Sequence, residues 1–361
     1  MAKIKLFDPV IGIEEETAVK KTLDSHFWSS GFGTGKVKEF EEKFNRYVGS
    51  KKCIAVNSGS AALHLALSLA DIKNKEVILP SLTFVSTAHA VRLNGGKPVF
   101  ADIDPNTLCL DVKSINKAIT KKTKVILPVH FGGMAANISE IKKICNEKNF
   151  LLIEDAAHAT GSSFKNKKIG SHGFAVCHSF NPTKNLVMPA GGAITLNGKN
   201  VEKLSKLLFS KRWCGIFNRI GTKYDVTDIG WSYFMNEFSA AIGLEQLKKI
   251  EKLIKKRKEI GKKYHEGIKQ VQKMSFEKNC SYHLFWIQVN NRDQFMKQML
   301  ENGIETGIHF QPVHTMTYYK TKYKLPVTET VGKKIVSLPM HPNLTEKQIE
   351  KVIKLTNKFA K

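Results

Sequence analysis

From about residue 53 to residue 196 the chain alternates short apolar runs with helix-patterned stretches, and this alternation constrains the fold more than any other feature. The runs fall at 53–56, 76–79, 98–101, 124–129, 151–155, 174–180 and 193–196. Their length, β-branched content and flanking turn residues predict strands. Residues 61–70, 86–94 and 138–148 carry helical spacing between them. Strand–helix alternation of this kind predicts an α/β layer fold with a mostly parallel sheet. Ligands of such sheets bind beyond the carboxyl ends of the strands. Residues that close a strand are therefore the first place to look for chemistry.

A chain of 361 residues exceeds what one hydrophobic core usually serves, which predicts two unequal domains. The pattern changes at 243–271, where Leu244, Leu247, Ile250, Ile254, Tyr264 and Ile268 keep helical spacing. This reads as a long connecting helix. It is followed by a strand-like 282–289, a helix near 294–302 and a turn-rich 306–314. The expected division is 1–245, a large domain with an N-terminal arm, and 246–361, a smaller α+β domain.

The net charge of +25 raises the encounter rate with any anion and does not choose among them. The cluster Lys248, Lys249, Lys252, Lys255, Lys256, Arg257 and Lys258 reads either as an anion patch or as a solvated helix face. No DNA or RNA motif accompanies it, so no nucleic-acid partner is expected. No run approaches the roughly 20 apolar residues that span a bilayer, and residues 1–10 lack the apolar core of a secretory signal. The six cysteines form no C-x-x-C pair, so neither a disulfide framework nor a metal site is suggested. A reducing, cytoplasmic setting is expected.

Four stretches close strands with chemically useful residues. In 151–158 a buried strand ends on Glu154 and Asp155, followed by Ala156, Ala157 and His158. A buried Asp155 needs a cation or strong donors. A protonated pyridine nitrogen would serve, and so would a role as cap of the next helix. In 179–185 Lys184 lies in a turn between Pro182 and Gly191-Gly192. It is either an idle surface lysine or a Schiff-base lysine held near a partly desolvated aldehyde. Asn57-Ser58-Gly59-Ser60 follows the first strand and opens a helix, as a phosphate turn does, although Ser60 can equally be an N-cap. Phe84, beyond the second strand, can stack on an aromatic cofactor or fill core. Their order along the chain is the persuasive feature: phosphate turn, aromatic, strand-end carboxylate, then lysine turn.

With these motifs the chain resembles the DegT/DnrJ/EryC1/StrS sugar aminotransferases, fold type I enzymes of pyridoxal 5′-phosphate (PLP). The resemblance takes in Gly33-Thr34-Gly35, 58–63, 80–87, 128–130, 153–161, 179–185, Gly191-Gly192, 237–247, 303–314 and 337–339. Stretches 153–161 and 306–310 with His314 look most like the branch that forms UDP-4-amino-4-deoxyarabinose. The resemblance implies that Lys184 carries the cofactor, Asp155 pairs with its ring nitrogen, and His158 and Phe84 lie against the ring. Gly59, Ser60 and Ser179 would hold the phosphate, and Thr34, His309 and His314 would lie near the sugar. It also implies a homodimer with shared sites, a nucleotide-linked keto-sugar as substrate and an amino-acid donor, L-glutamate. A sister branch that dehydrates has His in place of the lysine, so Lys184 favours transamination. Two departures stand out. The stretch 230–235 lacks the family's usual asparagine or arginine, which leaves Ser232 for the phosphate contact, and Ala190 replaces an acidic residue before Gly191-Gly192. The alternatives are a PLP aminotransferase of small ketose phosphates and, from another class, a basic nucleic-acid-binding protein with an inert core.

Overall fold

The computed structural model describes residues 3–320 and 324–360. Its centre is a seven-stranded sheet of β1 (Lys52–Val56), β2 (Glu76–Pro80), β3 (Lys97–Ala101), β4 (Thr123–Ile126), β5 (Leu151–Asp155), β6 (Ala175–Ser179) and β7 (Gly192–Leu196). The spatial order is β1-β7-β6-β5-β4-β2-β3. Only β7 runs against its neighbours, β1 and β6; the remaining pairs are parallel. Strands β2, β6 and β7 are buried throughout, as expected of a sheet covered on both faces. The expected strands therefore form within one or two residues at most ends. Residues 127–129 are the exception. They leave the ladder after Ile126 and keep one bridge, Val129 to Asp155.

On one face, helix Gly59–Ser68 packs Leu63, Leu65 and Leu67 with Ile54, Val77, Ile153 and Ile194. On the other, Ile78, Ile126, Leu152 and Val176 share a core with Phe285, Trp286, Val336 and Leu338 of a small antiparallel sheet, Gln272–Lys273, Phe285–Gln288 and Ile335–Leu338. The connecting helix runs Glu237–Gly267, starting before the expected 243, so a boundary at 245/246 falls inside one helix. Among the elements the apolar runs did not reveal are the hairpin Ile216–Ile220/Lys223–Val226 and the helices Ile13–Asp24, Lys36–Val48, Val112–Ala118, Val201–Lys211, Pro326–Lys334 and Glu346–Phe359.

The N-terminal arm is clipped onto the small sheet's side of the molecule. Ile4 N–H donates to the Gly303 carbonyl at 2.8 Å, Glu305 N–H to Ile4 at 3.0 Å and Met340 N–H to Leu6 at 3.2 Å. This places Phe7 over the ends of the large sheet's strands.

Candidate active site

The carboxyl ends of β1, β2, β4, β5 and β6, and the amino end of the reversed β7, surround a cavity of about 370 Å³. Asp155 and Lys184 both line it, as do Gly59, Ser60, Phe84, His158, Ser179 and His309. The sequence-predicted residues Thr34, Ser232 and His314 do not.

Asp155 ends β5 and is buried. One carboxylate oxygen accepts the Thr87 hydroxyl at 2.9 Å, and the other accepts the Ala157 N–H at 3.0 Å. Thr87 is in turn 2.9 Å from the Thr83 hydroxyl. Burial pushes the Asp155 carboxyl above its ordinary range, against the pull of Ala157, Thr87 and the Lys184 amine. A carboxylate in this condition gains from a cation brought into the cavity.

Lys184 closes a turn in which its N–H donates to the Asn181 carbonyl at 2.8 Å. The Asn181 side chain accepts from Thr183, which tightens the turn. Asn185 anchors it from behind by donating to the Thr160 and Ser281 carbonyls. Burial lowers the Lys184 amine to about 8, and the Asp155 carboxylate opposes that shift. An amine near 8 is still mostly protonated at physiological pH, but it is neutral far more often than an ordinary lysine, which a nucleophile or proton carrier needs.

At the opposite wall, helix Gly59–Ser68 starts with Ser58 as its cap, accepting the Ala61 N–H at 3.1 Å. The helix start faces the cavity with Gly59 and Ser60, and unpaired N–H groups at a helix start favour an anion. A Cβ added to Gly59 would come within 2.7 Å of the Ser179 Cβ, so glycine permits this approach. Phe84 is 56% exposed and stands at the rim, 6.0 Å from Phe310.

Three imidazoles complete the wall. His158 is buried and accepts the Gly132 N–H on Nδ1 at 3.3 Å, which fixes the neutral tautomer with its proton on Nε2. Burial and the Lys184 amine hold it well below the ordinary range. His309 pairs Nδ1 with the Ser337 hydroxyl at 3.0 Å and is lowered by burial to about 4. His283 lies 4.3 Å from His158. No role was read for it in the sequence, nor for Phe7, Thr83, Thr87 and Phe310, whereas Asn57 belongs to the expected phosphate turn.

The three residues outside the cavity have definite places. His314 is buried behind it, Nδ1 at 2.6 Å from the Ser81 hydroxyl and Nε2 at 3.4 Å from Glu329. It pins the loop that leads to Phe84. Thr34 is exposed on a loop held rigid by Glu237, which accepts the Lys36 N–H at 2.6 Å, and by Arg212, which donates to the Phe32 carbonyl at 3.1 Å. Ser232 is exposed and its backbone pairs with Trp213.

The donor set suits PLP: an anion cradle at a helix start, a buried carboxylate short of a cation, an amine of lowered basicity, and aromatic and imidazole rings between them. Comparison with known proteins agrees. A protein of uncharacterised function from Methanocaldococcus jannaschii is 34% identical, with 98% of this chain and 97% of that protein covered. The Helicobacter pylori aminotransferase PseC, involved in pseudaminic acid biosynthesis, superposes with a TM-score of 0.93 at 25% identity over 99% of each chain. The PLP form of Spr1654 from Streptococcus pneumoniae, described as a sugar aminotransferase, does so with a TM-score of 0.93 at 25% identity over 99% of this chain and 100% of that one. Residues 9–356 match one family, and this chain is therefore a member of the PLP-dependent DegT/DnrJ/EryC1/StrS aminotransferase family.

Proposed function

We propose that this enzyme moves an amino group from an amino acid, L-glutamate, to a keto-sugar carried on a nucleotide. The observation that carries the reading is Asp155 and Lys184 facing one cavity whose far wall is the start of helix Gly59–Ser68. PLP bound there supplies an electron sink for the carbanion formed at the donor carbon. Asp155 keeps a proton on the ring nitrogen. Lys184 would hold the cofactor, and its amine, once free, would take the proton from the donor carbon and deliver it to the cofactor's C4′ carbon. Gly59, Ser60 and Ser179 hold the phosphate through hydroxyl and backbone donors, and Phe84 and His158 flank the ring. His309 contacts the sugar from the small-sheet side.

Thr34 and Ser232 belong, in this reading, to the partner's site in a homodimer. Support comes from their exposure and from exposed Trp28, Phe32, Phe217, Ile220 and Ile229 in the same parts of the chain. Phe32 meets Trp213 at 4.6 Å beside Ser232, so the two stretches form one surface. The motif similarity places a UDP-linked 4-ketopentose among the first sugars to try. Free thiols at all six cysteines support a cytoplasmic setting. Among the described residues no helix is long and apolar enough to cross a membrane.

The test is the visible spectrum of the purified protein with PLP, followed by L-glutamate and a panel of nucleotide keto-sugars and ketose phosphates. A chromophore that borohydride fixes to Lys184, glutamate-driven bleaching and amination of a nucleotide sugar are expected. Absence of the chromophore, or turnover of ketose phosphates alone, would overturn the proposal.

A further inference from the structure

Residues 281–284 form a strap that leads into the small-sheet strand Phe285–Gln288, and Ser281, Tyr282 and Leu284, which flank His283, are hydrogen-bonded to other parts of the molecule. Ser281 N–H donates to the Ser162 hydroxyl at 3.1 Å, and its carbonyl accepts from Asn185, next to Lys184, at 3.2 Å. Tyr282 offers its carbonyl to Arg257 at 3.3 Å, and Leu284 N–H donates to Gly132 at 3.2 Å. Tyr282 is held at φ 49°, in the left-handed region that side chains larger than glycine avoid. Its ring fits against helix Glu237–Gly267 only because Gly261 has no Cβ, which would meet it at 2.8 Å. This much constraint serves to aim one side chain, that of His283.

His283 lines the cavity with Lys184, between Phe7, stacked at 5.7 Å, and His158 at 4.3 Å. It makes no hydrogen bond with the protein, and its Nδ1 is buried without a partner. Leaving a lone pair unpaired there is less costly than leaving an N–H unpaired, so the proton belongs on Nε2. Burial, with the Lys184 amine nearby, keeps the ring neutral. An orphaned polar ring fixed so rigidly in a cavity wall makes sense if its bond is made to what enters the cavity.

We infer that His283 is a substrate-binding residue, donating its Nε2–H to an oxygen acceptor of the bound substrate. The inference rests on the transaminase reading above. That oxygen comes from the donor's carboxylate or from a sugar hydroxyl, and the two half-reactions separate these sources. Because no protein hydrogen bond is lost, His283→Phe keeps the ring and should fold as well as the wild type.

The experiment follows three proteins: wild type, His283→Phe and His283→Gln. It measures the melting temperature without cofactor, then single-turnover titration of the PLP-loaded protein with L-glutamate and of the aminated protein with the UDP-linked keto-sugar. The Phe variant should melt at or above the wild-type temperature. Its apparent Kd should rise about tenfold or more in one half-reaction, the loss expected for one hydrogen bond, with partial recovery in Gln. A rise confined to glutamate assigns the carboxylate, and a rise confined to the sugar assigns the hydroxyl. Unchanged binding in both arms overturns the inference alone. So does a Phe variant that melts several degrees lower and loses both arms alike, since His283 is then only packing. A wild type inert in both arms overturns the transaminase reading and this inference with it.

Discussion

The core behind β6 and the cavity in front of it each hold a histidine without a hydrogen-bond partner, His178 and His283, on opposite terms. His178, on the strand's inner face, is fully enclosed, with Phe44 edge-on at 5.0 Å and Phe180 stacked at 6.5 Å, and neither ring nitrogen has a partner. The next residue, Ser179, points the other way into the cavity, where His158, His283 and His309 stand. Unpaired polar atoms cost free energy in either place. In the core nothing returns it, whereas in the wall an incoming ligand can. The wall should therefore trade stability for function, and the core histidine should only subtract.

Lys184→Ala gives the largest effect and tests the wall. The amine is held below its ordinary basicity by burial, so its removal should leave unfolding free energy unchanged or raised by about 1 kcal/mol. Transamination should fall by at least about 10³-fold, through loss of the proton carrier. Kinetics and urea unfolding of one preparation measure both. A variant that loses stability in step with activity would erase the contrast between wall and core.

Acid tests both regions together. His178 is lowered by burial to about 3 and His309 to about 4, while unfolded histidine titrates near 6.5. The folded state thus binds these protons less well than the unfolded chain. Stability is full above pH 6.5 and is lost as pH falls below it. By pH 5 each histidine costs about 2 kcal/mol, a large share of the roughly 5–15 kcal/mol typical of a domain. Urea midpoints of the cofactor-free protein at pH 7.5, 6 and 5 should drop accordingly; a flat series would mean that the rings are hydrated.

The two regions also differ in how far they could be read from the chain. Leu151–Asp155 and Ile138–Lys148 form with the expected bounds because burial pattern and caps are local: Asn137 caps that helix by accepting the Glu140 N–H. Asp155 and Lys184 were legible because one ends an apolar run and the other lies in the turn after the next such run, and a parallel sheet brings strand ends together. Thr87 was not, since nothing local shows that its hydroxyl faces a carboxylate 68 positions away. Phe7 and His283 reach the cavity through contacts of the arm and the small sheet, which no periodicity encodes. The one available signal for His283 was a polar ring in the apolar run 282–289, where burial has to be compensated. The expectation that Thr34, Ser232 and His314 share the site with Lys184 came from the resemblance alone, and within one chain they lie outside the cavity.

The smallest effect isolates the core. His178→Met removes two orphaned nitrogens and substitutes a flexible apolar side chain of similar volume among Phe44, Phe180 and their neighbours. No hydrogen bond is lost, because none is made. The expected gain at pH 7.5 is about 1 kcal/mol, or about 1–2 °C in melting temperature for a chain of 361 residues. The gain should widen to about 3 kcal/mol at pH 5, when the wild type must also keep its imidazole uncharged against a solution that would protonate it. Amination rates should not change, since the side chain faces away from the cavity that Ser179 lines. The same exchange at His283 should leave stability as high and weaken binding about tenfold in one half-reaction. If His178→Met instead destabilises the protein, the ring is filling a shape that methionine cannot, and packing rather than polarity governs the inner face of β6.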